Sequence, residues 1–369
     1  MTMTTRENGR QRGFTLVELM VSFFIGLIIL GASVKLFKSG VDASVLVAQR
    51  AELQQSTRAA INMLSKDISM AGAGLPPGGI QLPTNGAATT SKYGCDQGGT
   101  CYVPTHLYPN GNYMYGLIPG PNNGVQNGAL IPATNGSADS VTVAYLDYAF
   151  PLSQYTCVVS SGSMITLTAP VPAPVPALPA INAAGVGLQA GDLVLVTGGN
   201  IATIVAEVTN VTATTITFAN ADPLNLNNSG GDPIIGNLGY IFNRSVAPPP
   251  GAGNCSATRL LAVTYFIQLP AAGQAPRLMR QVNGLTPVPV SDDIIGMTIS
   301  YDLFNDTTGL NNAQQRDPLS IAGVTPNQIR KVNIAVRAQS LAQDGTKIQS
   351  MQLATSISAR NMSFKNRYQ

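Results

Sequence analysis

The group in this sequence whose position most clearly indicates chemistry is the carboxylate of Glu18. It is the only charged side chain in the apolar run from Phe14 to Val34. That run has 21 residues, or about 31 Å as a helix, which matches the hydrocarbon core of a bilayer. An ionised group within a membrane segment costs at least a few kcal/mol and commonly marks a functional site. Glu18 therefore predicts a function beyond that of a plain membrane anchor.

The charges around the apolar run predict its orientation. Three Arg and one Glu precede it within residues 1–13, and the first charge after it is Lys35. Positive charge before a span places the N-terminus in the cytoplasm, so the rest of the chain is exported. A cleaved secretory signal would have a charge-free apolar region followed by a small-residue cleavage site. The sequence has neither feature.

The stretch Gly13-Phe14-Thr15-Leu16-Val17-Glu18 resembles the cleavage and methylation motif of type IV prepilins and type II secretion pseudopilins. The resemblance implies that a membrane prepilin peptidase cuts after Gly13 and that Phe14 is then N-methylated. It implies that Glu18 is the carboxylate used in assembly. It further implies a subunit held in the inner membrane before assembly, and then located in a pilus in the periplasm or at the cell surface. The expected partners are other pilins, through the N-terminal helix.

A physical argument supports the assembly role of Glu18. Cleavage would create a positive amine on Phe14, and a buried charge is expensive unless an opposite charge pairs with it. If Glu18 of one subunit meets the Phe14 amine of its neighbour, only one axial register neutralises both charges. Such a pair specifies register more than it adds stability. Assembly would then be possible only after cleavage, because the Phe14 amine does not exist before it.

A second, looser resemblance concerns PilW-like minor pilins. The phrase Asp67-Ile68-Ser69-Met70-Ala71-Gly72 is similar to the end of their long helix, and Arg360-Asn361 is similar to a pair in their late strand. Cleavage would leave 356 of the 369 residues, which is large for the repeating subunit of a slender fibre. A minor pilin is therefore the favoured interpretation. A type II secretion pseudopilin and a pilus-tip adhesin or other binding module remain alternatives.

The predicted fold class is α+β and type IV pilin-like, with a long N-terminal helix on an antiparallel β-sheet. We expect a leader over 1–13, a transmembrane and assembly helix over 14–36, and an amphipathic continuation over 37–71. An exported β-rich domain over 72–369 would follow, with a loop-rich insertion at 72–137. Apolar residues at three- and four-residue spacing predict the buried face of the helix: Leu53, Thr57, Ala60, Ile61, Leu64 and Ile68. Asp67 is predicted to lie largely off this face.

Alternating and apolar runs predict ten strands in the exported domain. They cover Ser140–Phe150, Met164–Thr168, Asp192–Thr197, Ile201–Val208, Thr214–Phe218, Leu260–Leu269, Arg277–Gln281, Gly296–Phe304, Ile329–Gln339 and Gln349–Ser358. The third, fourth and fifth of these are predicted to form a meander. The pair Asp344-Gly345 predicts the turn into the last strand.

The four cysteines, Cys95, Cys101, Cys157 and Cys255, are dispersed behind an export segment, which favours disulfides in an oxidising compartment. Four cysteines allow three connectivities, and free thiols are the alternative. A short loop between Cys95 and Cys101 would leave Cys157 and Cys255 to close a long one. A zinc site is not expected, because no C-x-x-C pair occurs and His106 is the only histidine.

The sequence contains no recognisable catalytic constellation, so we expect a non-enzymatic protein with no cofactor and no metal. Without residues 1–13 the chain has 18 basic and 17 acidic groups, which gives no electrostatic footprint for nucleic acid. The Asn- and Asp-rich stretches 225–232 and 302–312 lack the spacing of a calcium loop and are interpreted as turns. Several tyrosines near residues 93–115 are compatible with an adhesive surface or with an irregular loop.

Overall fold

The computed structural model describes residues 13–76, 78–83, 91–109, 113–124, 138–199, 201–227, 236–244, 253–269, 275–304, 311–340 and 348–362. By contacts the chain divides into two units. One contains residues 1–52 and 342–349, and the other contains residues 53–341 and 350–369.

The described residues form two α-helices and seventeen strands. The helices are α1 (Leu16–Met70) and α2 (Leu238–Arg244). The strands are β1 (Ile80–Gln81), β2 (Tyr113–Met114), β3 (Leu117–Gly120), β4 (Ser140–Asp147), β5 (Thr156–Ser161), β6 (Met164–Thr168), β7 (Leu193–Thr197), β8 (Thr203–Glu207), β9 (Asn210–Val211), β10 (Thr215–Thr217), β11 (Gly253–Gln268), β12 (Arg277–Val282), β13 (Val288–Asp292), β14 (Ile294–Phe304), β15 (Asn311–Gln315), β16 (Ile329–Gln339) and β17 (Ser350–Ser358).

The first unit contains the N-terminal part of α1. Its apolar side chains are exposed over the whole membrane-length segment. A helix that is apolar on every side is suited to lipid. Near its end, Arg50 Nε donates a hydrogen bond to Gln349 Oε1 at 3.1 Å.

The second unit has its main core where residues 53–70 of α1 pack on β-strands. The predicted stripe is confirmed, since all six residues are buried, with Leu64 and Ile68 fully so. They pack with residues of β4, β11 and β12 and with the inner face of β14, β16 and β17. A long helix on antiparallel strands confirms the α+β class and the pilin-like layout.

Strand β11 organises the larger sheet, which has eleven strands within the described part of the chain. Its first half pairs with β5 and β7, and its second half pairs with β4 and β12, all antiparallel. One strand of 16 residues therefore joins two subsheets. A second core lies under the insertion, and a third is enclosed by β5 to β8, β10 and α2.

A separate antiparallel sheet has the strand order β15-β14-β16-β17. On β16, Val332, Ile334, Val336 and Ala338 point into the main core, and the residues between them face the other side. This is the period-2 alternation expected of a sheet with one buried face.

Most strand predictions lie within three residues of the observed bounds. An exception is β11, which begins at Gly253 rather than Leu260. Its first half pairs with β5 and β7, which are distant from it in sequence. The predicted three-strand meander is wrong. Strands β7 and β8 do form a hairpin, but β10 pairs with β6 and β9 instead. The turn at Asp344-Gly345 lies outside the described residues.

The insertion is less irregular than predicted. Its last part contains β3, which pairs with β4 from Leu117 opposite Val143 to Gly120 opposite Ser140. Helix α2 was also not predicted, nor were strands β1, β2, β5, β9, β13 and β15. They are short elements whose apolar residues are too few to give a periodic signal.

Candidate functional site

The residues around the predicted cleavage site form the start of α1. Gly13, Phe14 and Thr15 precede the helix, which begins at Leu16. Thr15 N–H and Thr15 Oγ1 donate to Glu18 Oε2 at 3.0 and 2.9 Å, and Glu18 N–H donates back to Thr15 Oγ1 at 3.3 Å. This reciprocal pattern is a capping box, which satisfies amide groups that a helix start leaves unbonded.

The capping box uses only one carboxylate oxygen of Glu18. Within the described residues, Glu18 Oε1 accepts no hydrogen bond, and the side chain is exposed. A carboxylate has about four acceptor positions. The geometry therefore allows Glu18 to fix the helix start and to accept a further donor from outside the chain.

The glycines of this segment have no steric role in the chain as it stands. A Cβ added at Gly13, Gly26 or Gly31 would meet no atom within 4 Å. The helix is continuous through Gly26 and Gly31. A side chain at these positions would therefore meet no steric obstacle within the chain.

A buried carboxylate joins α1 to the larger sheet within the second unit. Asp67 is 2% exposed. It accepts hydrogen bonds from Tyr145 Oη at 3.0 Å, Tyr265 Oη at 2.6 Å and Arg280 Nε at 2.8 Å. The prediction that Asp67 lies off the buried face is wrong. It lies seven residues after Ala60, on the same side of the helix, and its charge is tolerated because Arg280 neutralises it.

The same cluster shifts the acidities of its members. Burial and the nearby charge of Asp67 raise the pKa of Tyr145 and the pKa of Tyr265 above the usual value for a phenol. Burial opposes the charge on Arg280, but its hydrogen bond and charge interaction with Asp67 outweigh this and raise its pKa. The two phenols stay neutral donors and the guanidinium stays charged.

The end of α1 is built together with the C-terminal residues of the second unit. Gly72 has φ +78°, the left-handed conformation in which glycine commonly ends a helix. A Cβ there would lie 3.0 Å from the Asn361 carbonyl oxygen. Asn361 Nδ2 donates to Ser69 O at 3.2 Å, so it satisfies a carbonyl of the last turn. Arg360 and Asn361 lie in a 3-10 turn after β17, which corrects their placement in a strand.

The structure joins Cys95 to Cys101 and Cys157 to Cys255. The first disulfide closes a loop within the insertion, at an isolated antiparallel bridge. The second crosses between β5 and β11, where the two cysteines are directly opposite each other. Both disulfides lie in the β-rich unit, and none of the four cysteines is free.

The tyrosines of the insertion serve mainly the interior. Tyr93 and Tyr108 are 5% and 4% exposed and make an edge-to-face contact. Tyr102 stacks on Phe266 of β11, with ring centroids 5.6 Å apart. Three of the residues that were compatible with an adhesive surface therefore pack against the domain itself.

Two of the other polar candidates, Asn227 and Asp302, have structural partners, whereas residues 228–232 and 305–310 lie outside the described residues. Asn227 Oδ1 accepts Glu207 N–H at 2.9 Å, and its amide donates to the Glu207 and Ala219 carbonyls. Asp302 Oδ1 accepts Gln314 N–H at 2.9 Å and Asn333 Nδ2 at 3.0 Å. No group of three or more His, Cys, Asp or Glu side chains that could hold a metal occurs among the residues described.

Sequence reasoning missed one buried acidic pair, Glu207 and Asp222, which are 1% and 5% exposed. Glu207 Oε2 accepts Leu224 N–H at 3.1 Å, and the Asp222 oxygens accept Leu226 N–H and Asn227 N–H at 2.7 and 2.9 Å. Burial, with the hydrogen bond and charge of Asp222, raises the pKa of Glu207 to about 8. The environment of Glu207 therefore favours the neutral form of its carboxyl group.

The start of α1 and the fold behind it define a class of protein: a β-rich domain that follows a membrane-length helix with a carboxylate in its first turn. One helix in the described part of the chain is long and apolar enough to cross a membrane. The family model for the prokaryotic N-terminal methylation motif matches residues 8–34. This match supports a type IV prepilin-like protein that associates with the membrane and is suited to processing by prepilin peptidase. No curated protein and no solved structure gave a match.

Proposed function

We propose that this chain is a minor pilin, a non-enzymatic structural subunit that takes part in type IV pilus assembly. Residues 1–13 are the leader, which prepilin peptidase removes after Gly13, and Phe14 becomes the N-methylated first residue. Residues 14–36 cross the inner membrane with the N-terminus in the cytoplasm and later pack against other pilins. Residues 37–71 continue the helix, and residues 72–369 form the exported domain.

The observation that carries this proposal is the position of Glu18. Its carboxylate lies in the first turn of an apolar helix, within the segment that matches the methylation motif. Glu18 Oε2 bonds to Thr15, which leaves Glu18 Oε1 open to the Phe14 amine of a neighbouring subunit. Pairing these charges recovers much of the cost of burying each of them.

The assignment to the PilW-like minor pilins rests on a separate contact. The Asp67–Gly72 phrase and the Arg360-Asn361 pair are nearly 300 residues apart in sequence, and Asn361 Nδ2 bonds to Ser69 O. Two motifs that resemble the same family thus build one helix end. The size of the chain favours a minor subunit over the repeating one.

Processing is tested by mass spectrometry of the mature N-terminus. The proposal expects N-methylphenylalanine derived from Phe14. An intact Met1, or a cut after residue 34, would refute a prepilin.

Assembly is tested with Glu18→Gln, because glutamine keeps the capping box but removes the charge. We expect normal cleavage and normal amounts in the membrane, but loss of the subunit from sheared pili. Glu52→Gln, an exposed carboxylate further along α1, is the matched control and should assemble normally. Incorporation of Glu18→Gln at the wild-type level would contradict the charge-pair mechanism.

Deletion of the gene separates the pilin from its alternative. A minor pilin predicts fewer pili with normal enzyme secretion. Loss of secreted enzymes with normal pili would instead identify a type II secretion pseudopilin.

A further inference from the structure

Strand β17 forms an edge of the C-terminal sheet. Within the described residues it pairs with β16 alone, in a continuous register from Lys331 opposite Ser358 to Gln339 opposite Ser350. Just beyond the strand, Ala359 N–H donates to Arg330 O at 3.0 Å. Hydrogen bonding alternates along an antiparallel pair. The odd-numbered residues of β17 therefore bond to β16, and the even-numbered ones direct their N–H and C=O groups away from the sheet.

This edge lacks the features that usually prevent strands from joining. From Ser350 to Ser358 there is no Pro and no charged residue, and the pairing with β16 contains no bulge. Natural sheets commonly protect their edges with such features. Edge strand β13 contains Pro289 and Asp292 and pairs across a bulge, and edge strand β15 also pairs across a bulge. Of these three edge strands, β17 alone pairs without a bulge.

The sequence of β17 is close to a palindrome about Ala354. In an antiparallel pair of two β17 strands centred there, Ser350 lies opposite Ser358, Met351 opposite Ile357, Gln352 opposite Ser356 and Leu353 opposite Thr355. Polar residues meet polar residues on the exposed face. Met351 and Leu353, which are half-buried in the single chain, meet Ile357 and Thr355 on the core side.

We propose that the open edge of β17 binds the same edge of a second copy of this chain, antiparallel and centred on Ala354. An isologous contact needs a self-complementary surface, and the near-palindrome provides it. The five outward-facing residues of each strand would together form about ten main-chain hydrogen bonds. This register pairs all nine residues of β17, whereas any other two-fold register pairs fewer. The proposal does not depend on the assignment to pilins.

The side chains that flank the edge leave room for a second strand. The outward-facing residues Ser350, Gln352, Ala354, Ser356 and Ser358 are all exposed and uncharged. On the same face, Ala354 and Ser356 help to line an open groove of about 430 Å³ with Thr298, Ser300 and Asn333. No bulky or charged group in that lining blocks a continuous sheet.

Disulfide cross-linking of the full-length chain in membranes tests the register. In the proposed pair the two Ala354 Cα atoms are about 5.5 Å apart, which is within the range for a disulfide. Ala354→Cys should therefore give a cross-linked dimer as the main species on mild oxidation. Thr298→Cys is the matched control, because it is exposed on the same face but would lie about 24 Å from its copy, five strand spacings away. Equal cross-linking of the two variants would overturn the proposal.

A second pair of variants distinguishes antiparallel from parallel pairing. Ser350→Cys alone should not cross-link, whereas the double variant Ser350→Cys/Ser358→Cys should. A parallel, in-register contact would cross-link Ser350→Cys by itself and would refute the proposed geometry.

The mass of the purified full chain in detergent tests the association without cysteines. We expect wild type to have twice the protein mass of Ala354→Lys, because two lysines would lie directly opposite each other across the two-fold axis. Ala354→Ser is the control and should remain a dimer. A monomeric wild type, or a dimeric Ala354→Lys, would refute the role of this edge.

Discussion

Replacing Asp67 by Asn should destabilise the β-rich unit by about 3 kcal/mol, and Asp67→Ala by about 4 to 5 kcal/mol. The carboxylate accepts three hydrogen bonds while its side chain is 3% exposed and that of Arg280 is 20% exposed. Removing one partner leaves a largely buried guanidinium unpaired, and two phenol groups lose an acceptor. The free energies of the three hydrogen bonds, counted separately, would sum to more than this expected loss. Contributions within one hydrogen-bond network are not additive, so the smaller value is used.

Urea unfolding of the detergent-solubilised chain measures this loss. The protein has 12 Tyr and no Trp, so intrinsic tyrosine fluorescence reports unfolding directly. Asp42→Asn, at an exposed position on the same helix, is the control and should change stability by less than about 0.5 kcal/mol. A double-mutant cycle of Asp67→Ala with Arg280→Met should give a coupling energy of at least about 1.5 kcal/mol. An additive cycle, or a cost for Asp67→Asn equal to that of Asp42→Asn, would refute the reasoning.

Two further predictions concern groups in the same unit. Because the pKa of Glu207 is raised from 4.5 to about 8, folding takes up a proton between these values. The contribution of Glu207 to stability is then fully present below pH 4.5 and is lost, by about 3 to 5 kcal/mol, as the pH rises through 8. Glu207→Gln should remove this part of the pH dependence in thermal melts, whereas Glu52→Gln should keep it. The disulfide between Cys157 and Cys255 spans 98 residues and the one between Cys95 and Cys101 spans 6. Replacing the former pair by serine should cost about 4 to 5 kcal/mol and the latter about 2 in denaturant unfolding, and equal losses would contradict the loop-length argument.

The N-terminal site could be predicted because its signals are local. A single carboxylate in a membrane-length apolar run, a glycine before it and basic residues in front are all read within the first 34 residues. The same holds for the helix that follows, since its buried stripe repeats at three- and four-residue spacing. The structure added the capping box between Thr15 and Glu18, which a T-x-x-E spacing could have indicated.

The pairing of the strands could not be predicted in the same way. Strand β11 pairs with four other strands, β4, β5, β7 and β12. Strand β10 pairs with β6 and β9 rather than with the hairpin of β7 and β8. Alternation predicts that a segment is a strand, but it does not specify its neighbour. Contacts between distant segments decide that choice.

The sequence by itself determined the membrane-length apolar helix, the position of Glu18 within it, the α+β class and the buried face of α1. Each of these depends on residues that are close in sequence, where helical or strand periodicity fixes which side chains share a face. Only the tertiary structure decided that Asp67 is buried, since Tyr145, Tyr265 and Arg280 come from distant strands. The same is true of the raised pKa of Glu207 and of the open edge of β17. The free energy of a buried charge or an unpaired strand edge depends on what the rest of the chain places beside it.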